Sequence, residues 1–291
     1  MTLAAVDSRT ELSAFLKSRR ARLTPADVGL PDYGSTRRVA GLRREELARI
    51  AGVSVAHYTR LEQGNTRSVS SSVLDAISRA LRLDAHETAY VHRLARHRPG
   101  KAVVETYAPP RVRPALQHLL DSMEHTPGLI IGHHADVVAW NRAAAALFAD
   151  FAALPPQRRD FSHLHFFDEE FRALHGAGWR EVAHAHVAHL RALTSRAPVC
   201  PDLLAHVDRM RRDSAEFRAL WADRDVVVVS HRIFRLRHPL VGALELEAER
   251  VELPGDCHLT GMDLFTAAPG SPTDAALRRL AASTDRRASA S

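Results

Sequence analysis

Arg60 ends the run Val55-Ala56-His57-Tyr58-Thr59-Arg60, and at helical spacing Val55, Ala56, Thr59 and Arg60 fall on one outward face. A guanidinium in that place can donate two parallel hydrogen bonds to O6 and N7 of guanine, and Val55 or Ala56 can touch a thymine methyl. Arg60 is therefore the candidate base reader. His57 points either to phosphate or into a helical bundle, and the sequence leaves both open. Arg44, Ser54, Gln63, Asn65 and Arg67 are spaced to meet phosphates around such a helix. Arg37 and Arg38, on a glycine-flanked loop, extend that track or enter the minor groove. Each arginine taken singly has an ordinary alternative as a solvated charge. Glu62 reads as a residue that ties the fold together, because a carboxylate beside phosphate is repelled.

These contacts need two short helices held at a fixed angle, and residues 47–62 have the pattern of a helix-turn-helix. Ala48 is small enough for close helix approach, Gly52 makes the turn, and Val53, Tyr58 and Leu61 point inward. The first helix spans 43–51; the second spans 55–63, capped by Ser54 and stopped by Gly64. Apolar periodicity places further helices at 11–23, 71–81 and 84–97, the last capped by Asp84, and the Pro- and Gly-rich stretch 24–41 is a long loop. Residues 1–98 thus form a mainly α five-helix bundle. They hold 17 Arg and Lys against 10 Asp and Glu, whereas residues 99–291 hold 23 against 24, so a basic domain precedes a nearly neutral one.

Residues 99–111 lack periodicity and contain three prolines and a glycine, which marks a linker. Residues 112–282 read as an α+β domain built on an antiparallel sheet. Strand patterns occur at 129–131, 137–140, 226–230, 232–236, 243–249 and 258–265, with a helix that Asn141 can cap and further helices at 179–193, 203–212 and 215–221. The small polar tail 283–291 is expected to be disordered. Trp140, Phe166, Trp179, Phe217, Trp221 and Phe234 concentrate here in an aromatic-poor chain. Core packing accounts for any one of them; together they can line an apolar cavity, with Asn141, Arg159 or His238 at its mouth to orient a polar head group.

Other chemistry finds less support. His186 and His189 share a helix face, near His184, His163 and His165, but no cysteine or carboxylate completes a metal set, so no metal and no cofactor is expected. Cys200 and Cys257 lie far apart, and an inert thiol is the reading for Cys200. No nucleophile elbow, phosphate-cradling loop or zinc-protease motif occurs, and His238 offers only a chance dyad, so the chain is read as no enzyme. Without a long apolar run it is expected to be cytoplasmic.

Arg37-Arg38-Val39, Gly41-Leu42-Arg43-Arg44-Glu45-Glu46-Leu47-Ala48, Ala51-Gly52-Val53-Ser54, His57-Tyr58-Thr59-Arg60-Leu61-Glu62-Gln63-Gly64 and Val73-Leu74-Asp75-Ala76 resemble the Xre-type domain of MmyB-like regulators. Val112-Arg113-Pro114, Ala139-Trp140-Asn141, Trp179-Arg180-Glu181-Val182-Ala183, Ser214-Ala215-Glu216-Phe217, Leu220-Trp221, His238-Pro239-Leu240-Val241-Gly242 and Pro269-Gly270-Ser271 are similar to that family's C-terminal domain. The resemblance covers residues 11–282. It implies a PAS-like ligand-binding domain, an antiparallel sheet with flanking helices around an apolar pocket, and fatty-acid-like ligands. It departs at Ala40, where proline is usual, and at Arg159-Asp160-Phe161, where an Arg-Asn pair is common. The expectation is a sequence-specific regulator that binds double-stranded DNA as a homodimer, its C-terminal domain sensing a small apolar or fatty-acid-like ligand. The alternative is a repressor whose C-terminal domain serves only dimerisation or protein contact.

Overall fold

The computed structural model describes residues 8–30, 41–66, 69–96, 111–132, 135–195, 200–227, 231–253 and 259–288. The chain divides into two compact units. The first comprises Met1–Glu105, Arg191–Ala205 and Ala219–Val228; the second comprises Thr106–Leu190, His206–Arg218 and Val229–Ser291.

Helices α1 (Ser8–Arg22), α2 (Arg44–Ala51), α3 (Val55–Glu62), α4 (Ser71–Ala80) and α5 (Ala85–Arg96) build the first unit. Their apolar stripes meet in one core of Leu12, Phe15, Leu47, Tyr58, Leu61, Ile77 and Tyr90, among others, joined by Ala192 and Val226. Capping residues set the helix ends. Gly52 takes a left-handed φ of 66°, with its N–H turned back to Ala48 and Arg49 carbonyls, and the Ser54 hydroxyl accepts from His57 N at 3.2 Å. Asp84 and Glu87 cap each other's backbone at the start of α5. Gly64 tolerates no side chain: its φ is 82°, and a Cβ there would lie 2.5 Å from Arg9 O.

Helices α6 (Pro114–Asp121), α7 (Arg142–Leu147), α8 (Phe161–Phe167) and α9 (Glu169–His175) belong to the second unit, with strands β1 (Gly128–Gly132) and β2 (Val137–Trp140). Then come α10 (Trp179–Thr194), α11 (Pro201–Asp213) and α12 (Ala215–Ala222), each contributing residues to both units. Strands β3 (His231–His238), β4 (Gly242–Val251) and β5 (Leu259–Thr266) and helix α13 (Pro272–Ala288) complete the second. Its sheet is fully antiparallel in the order β2-β1-β5-β4-β3. One face packs Leu129, Leu244, Leu246 and Phe265 against Leu147, Phe171 and Leu277 from the helices; the other packs Ile130 and Met262 against Leu116 and Leu120 of α6. This is the antiparallel sheet with flanking helices that the sequence led us to expect.

The later pieces of the first unit are pinned by buried charge. Glu11 accepts from Tyr90 Oη at 3.0 Å, from Arg224 at 2.9 Å and from Arg191, whose guanidinium lies 4.0 Å over the Trp221 ring. Arg191 is only 1% exposed. Arg19 adds a bond to Glu87 at 2.6 Å and one to Arg224 O at 2.8 Å.

Some expectations need correction. Val226 and Val227 form no strand, because Val226 enters the helical core; residues 228–230 fall outside the described ones. The tail from 283 is helical through Ala288, as α13 simply continues through Arg and Ala, both good helix formers. Residues 99–110 of the expected linker lie outside the described residues. Helices α8 and α9, capped by Asp160 and Asp168, are too short to show periodicity. Among the described residues no helix is long and apolar enough to cross a membrane.

Candidate nucleic-acid interface and apolar pocket

On α3 the inward side is fully closed, with Tyr58, Leu61 and Glu62 at 0% exposure, and the opposite side is open. Val55, Ala56 and Arg60 are exposed there, and Thr59 and His57 are half-exposed. Gln63, Asn65 and Arg44 are exposed around the helix. Ser54 is exposed too, with its hydroxyl engaged in capping. The His57 ring leans inward, its Nε2 buried and without a hydrogen-bond partner among the described residues. Arg37, Arg38 and Arg67 lie outside the described residues.

Glu62 holds this face in place. One of its carboxylate oxygens accepts from Arg20 Nε at 2.7 Å and from Tyr58 Oη at 3.0 Å, and the other accepts from Arg44 Nε at 2.5 Å. Burial pushes the carboxyl up, but the bonds from Arg20 and Arg44 hold it below the ordinary carboxylate value. Burial likewise drives the Tyr58 hydroxyl far above its usual range, so it stays a donor. Arg44 therefore has two jobs open to it: its Nε is tied to the fold, while the rest of a 44% exposed side chain faces solvent.

The second unit contains a pocket between the inner face of β3, β4 and β5 and helices α8, α9 and α10, with about 80 Å³ open to solvent-sized molecules. Phe148, Phe161, Phe171, Phe234 and Phe265 form its apolar wall; His165, His175, His186, His189, Arg232 and Arg250 bring nitrogen. The His165 ring lies 5.3 Å from both His175 and His186. Burial drives His175 down to about 4 and His186 down to about 3, with His165 also well below the usual imidazole value, so all three are neutral near pH 7. His186 Nε2 bonds Ser162 Oγ at 2.9 Å, and Ser162 Oγ in turn meets His206 Nε2 at 2.8 Å. Among the described residues no group of His, Cys, Asp and Glu is placed to hold a metal ion.

Of the residues expected around a ligand, Phe234 lines this pocket. His238 lines a separate depression beside α7, its Nε2 donating to Ala146 O at 3.1 Å while Nδ1 accepts from Leu240 N. Trp140 packs on Phe151 at 5.4 Å, under Arg159, which is itself tied to Leu154 O at 2.8 Å. Phe166, Trp179 and Phe217 form their own cluster, with Trp179 Nε1 donating to His165 O at 2.8 Å. Trp221 belongs to the first unit. Asn141 is buried as a structural hub, donating to Leu120 O, Met123 O and Thr126 O and accepting from Gly128 N and Ala144 N. The sequence reading missed Arg232, His175 and four of the wall phenylalanines. A usable signal existed in β3, where the inward positions Arg232, Phe234 and Leu236 put a cation into an apolar stripe.

Two sequence families match the chain. A helix-turn-helix domain covers residues 11–91, and the MmyB-like transcription regulator ligand binding domain covers residues 112–280. No curated protein matches it. The second family alone takes in more than half of the 291 residues, in the order and with the helix-turn-helix that the motifs implied. The chain therefore belongs to the MmyB-like transcription regulators, DNA-binding proteins that carry a ligand-binding domain.

Proposed function

We propose that the chain reads a specific DNA sequence with α3 in the major groove, Arg60 pairing with a guanine and Val55 or Ala56 touching a thymine methyl. The observation that carries this reading is the exposure of Val55, Ala56 and Arg60 on one side of a capped helix whose other side is fully buried. Arg44, Ser54, Gln63 and Asn65 then meet phosphates. One such helix reads only a few base pairs, so the regulator acts as a homodimer on half-sites about one helical turn apart. At fixed salt, Arg60→Ala should lose about 1–3 kcal/mol on the specific site and little on random DNA. Arg44→Ala should weaken both and flatten the salt dependence. Equal losses for Arg60→Ala on both DNAs would move it to the phosphate contacts, and footprints of one isolated half-site would refute the dimer.

The phenylalanine-walled pocket supports a sensor of small apolar or fatty-acid-like ligands in the C-terminal domain. A ligand controls DNA affinity only by favouring one arrangement of the protein, and a coupling of about 5- to 150-fold is typical. A carboxylate with an apolar body, either decanoate or the smaller benzoate, added to the full chain is expected to raise its melting temperature and to change operator affinity within that range. A chain indifferent to both, with no small molecule released from the purified protein, would favour a domain used only for dimerisation or protein contact.

A further inference from the structure

Two arginines reach the pocket, and they are treated differently. Arg250 is neutralised: Asp263 accepts from both its Nε and Nη2 at 2.6 Å, and a third nitrogen meets His189 Nε2 at 2.8 Å. Arg232 has no such partner among the described residues. Its nearest carboxylate is Glu181, 3.8 Å away on a side chain that is 87% exposed, and its guanidinium otherwise lies 5.3 Å from the Phe234 ring. Yet its own side chain is only 18% exposed. Beside it His175, 5% exposed, has no hydrogen-bond partner for either ring nitrogen among the described residues, and Nδ1 of the 4% exposed His165 has none. Buried polar groups without partners are rare in proteins, and a cluster of them opening onto a cavity marks a place where a ligand completes the bonding.

We infer that this pocket takes a compact organic monoanion, its carboxylate held by Arg232 and an N–H of His175 and its apolar body lying among Phe148, Phe171, Phe234 and Phe265. The inference rests on reading the C-terminal domain as a sensor and narrows the ligand class of that site. Desolvation lowers the Arg232 pKa, with only Glu181 opposing it, which is the mark of a cation lacking its counter-charge, whereas for Arg250 burial is outweighed by its bonds to Asp263, which raise its pKa. The neutral histidines suit the same role: an uncharged imidazole can donate one hydrogen bond to a carboxylate at little desolvation cost. Size limits the body. The 80 Å³ here is about half of the roughly 150 Å³ apolar cavity that accepts benzene, so the body is at most a short branched chain or one ring, and a ring reaches partly past the pocket's open side.

Benzoate and its near-isosteric neutral partner benzamide separate charge from shape, and titration of the full chain with each, beside decanoate, provides the test. Benzoate is expected to bind about ten- to a hundredfold more tightly than benzamide, since a hydrogen-bonded ion pair supplies the difference. Arg232→Gln should erase that preference, and Arg232→Lys should restore part of it, which a merely unfolded variant would not do. Equal binding of benzoate and benzamide, or a preference that survives Arg232→Gln, overturns the anion seat and leaves the sensor reading standing. Binding of decanoate without benzoate overturns the compact class in the same way. If none of the three binds, the sensor reading fails and the inference falls with it.

Discussion

Replacing Glu62 by alanine is expected to destabilise the first unit by about 3–5 kcal/mol, the cost of leaving a buried partner charge uncompensated. Glu62 is completely buried, Arg20 beside it is 15% exposed, and Tyr58 loses its acceptor in the same step. Denaturant unfolding would read the effect directly, and a loss below about 1 kcal/mol would show that water replaces the carboxylate. The pH dependence follows from the same contacts. Because the folded carboxyl titrates below its ordinary value, its stabilisation is fully present above the ordinary carboxylate range and is lost as pH falls through the depressed folded value. The alanine variant should lack that share of the acid sensitivity. DNA affinity should fall as well, since Arg44 then loses the bond that orients it.

Asn141→Ala should be comparably severe in the second unit, by about 3 kcal/mol or more, because it strands buried donors and acceptors on several backbone segments at once. The amide joins the end of α6, the loop before β1, the first residue of β1 and the start of α7. Asn141→Asp tests the geometry more finely: the acceptor for Gly128 N and Ala144 N survives, but a carboxylate then faces three carbonyls. The aspartate variant should be least stable at neutral pH and recover partly on acidification, as protonation removes the repulsion. Melting curves across pH check this. A variant as stable as the parent at pH 7 would show that these contacts do not carry the stability of the second unit.

The helical half was legible because its signals are local. Periodic leucines, a glycine between two short helices and serine or aspartate caps lie within a few residues of what they determine, and Gly52, Ser54 and Asp84 do what their types imply. The paired strands around β3 and β4 were readable from alternation, as in Leu244, Glu245, Leu246 and Glu247. The pocket was not readable, because its wall comes from many separate elements and residue type alone does not say which aromatics meet. Trp140, Trp179 and Phe217 are as apolar as Phe148 and Phe265, and only the register of the sheet and the crossing of α8 to α10 separates those that line space from those that fill it. The histidines drew notice as metal ligands, since their shared property was visible while their burial was not.

The discontinuity of the first unit bears on how the protein is born. Its helix-turn-helix is complete by Glu62 and its last bundle helix by Arg96, so these elements leave the ribosome early. Glu11, at the heart of that bundle, must nevertheless wait for Arg191 and Arg224, 180 and 213 residues downstream. Until they arrive the nascent bundle carries a buried carboxylate held by Tyr90 alone among these partners, and its core lacks Ala192 and Val226. Closing contacts so distant in sequence is slow. Synthesis order thus delays the finished DNA-binding unit until most of the ligand-binding domain has been made, so a truncated nascent chain would not yet carry a completed helix-turn-helix unit.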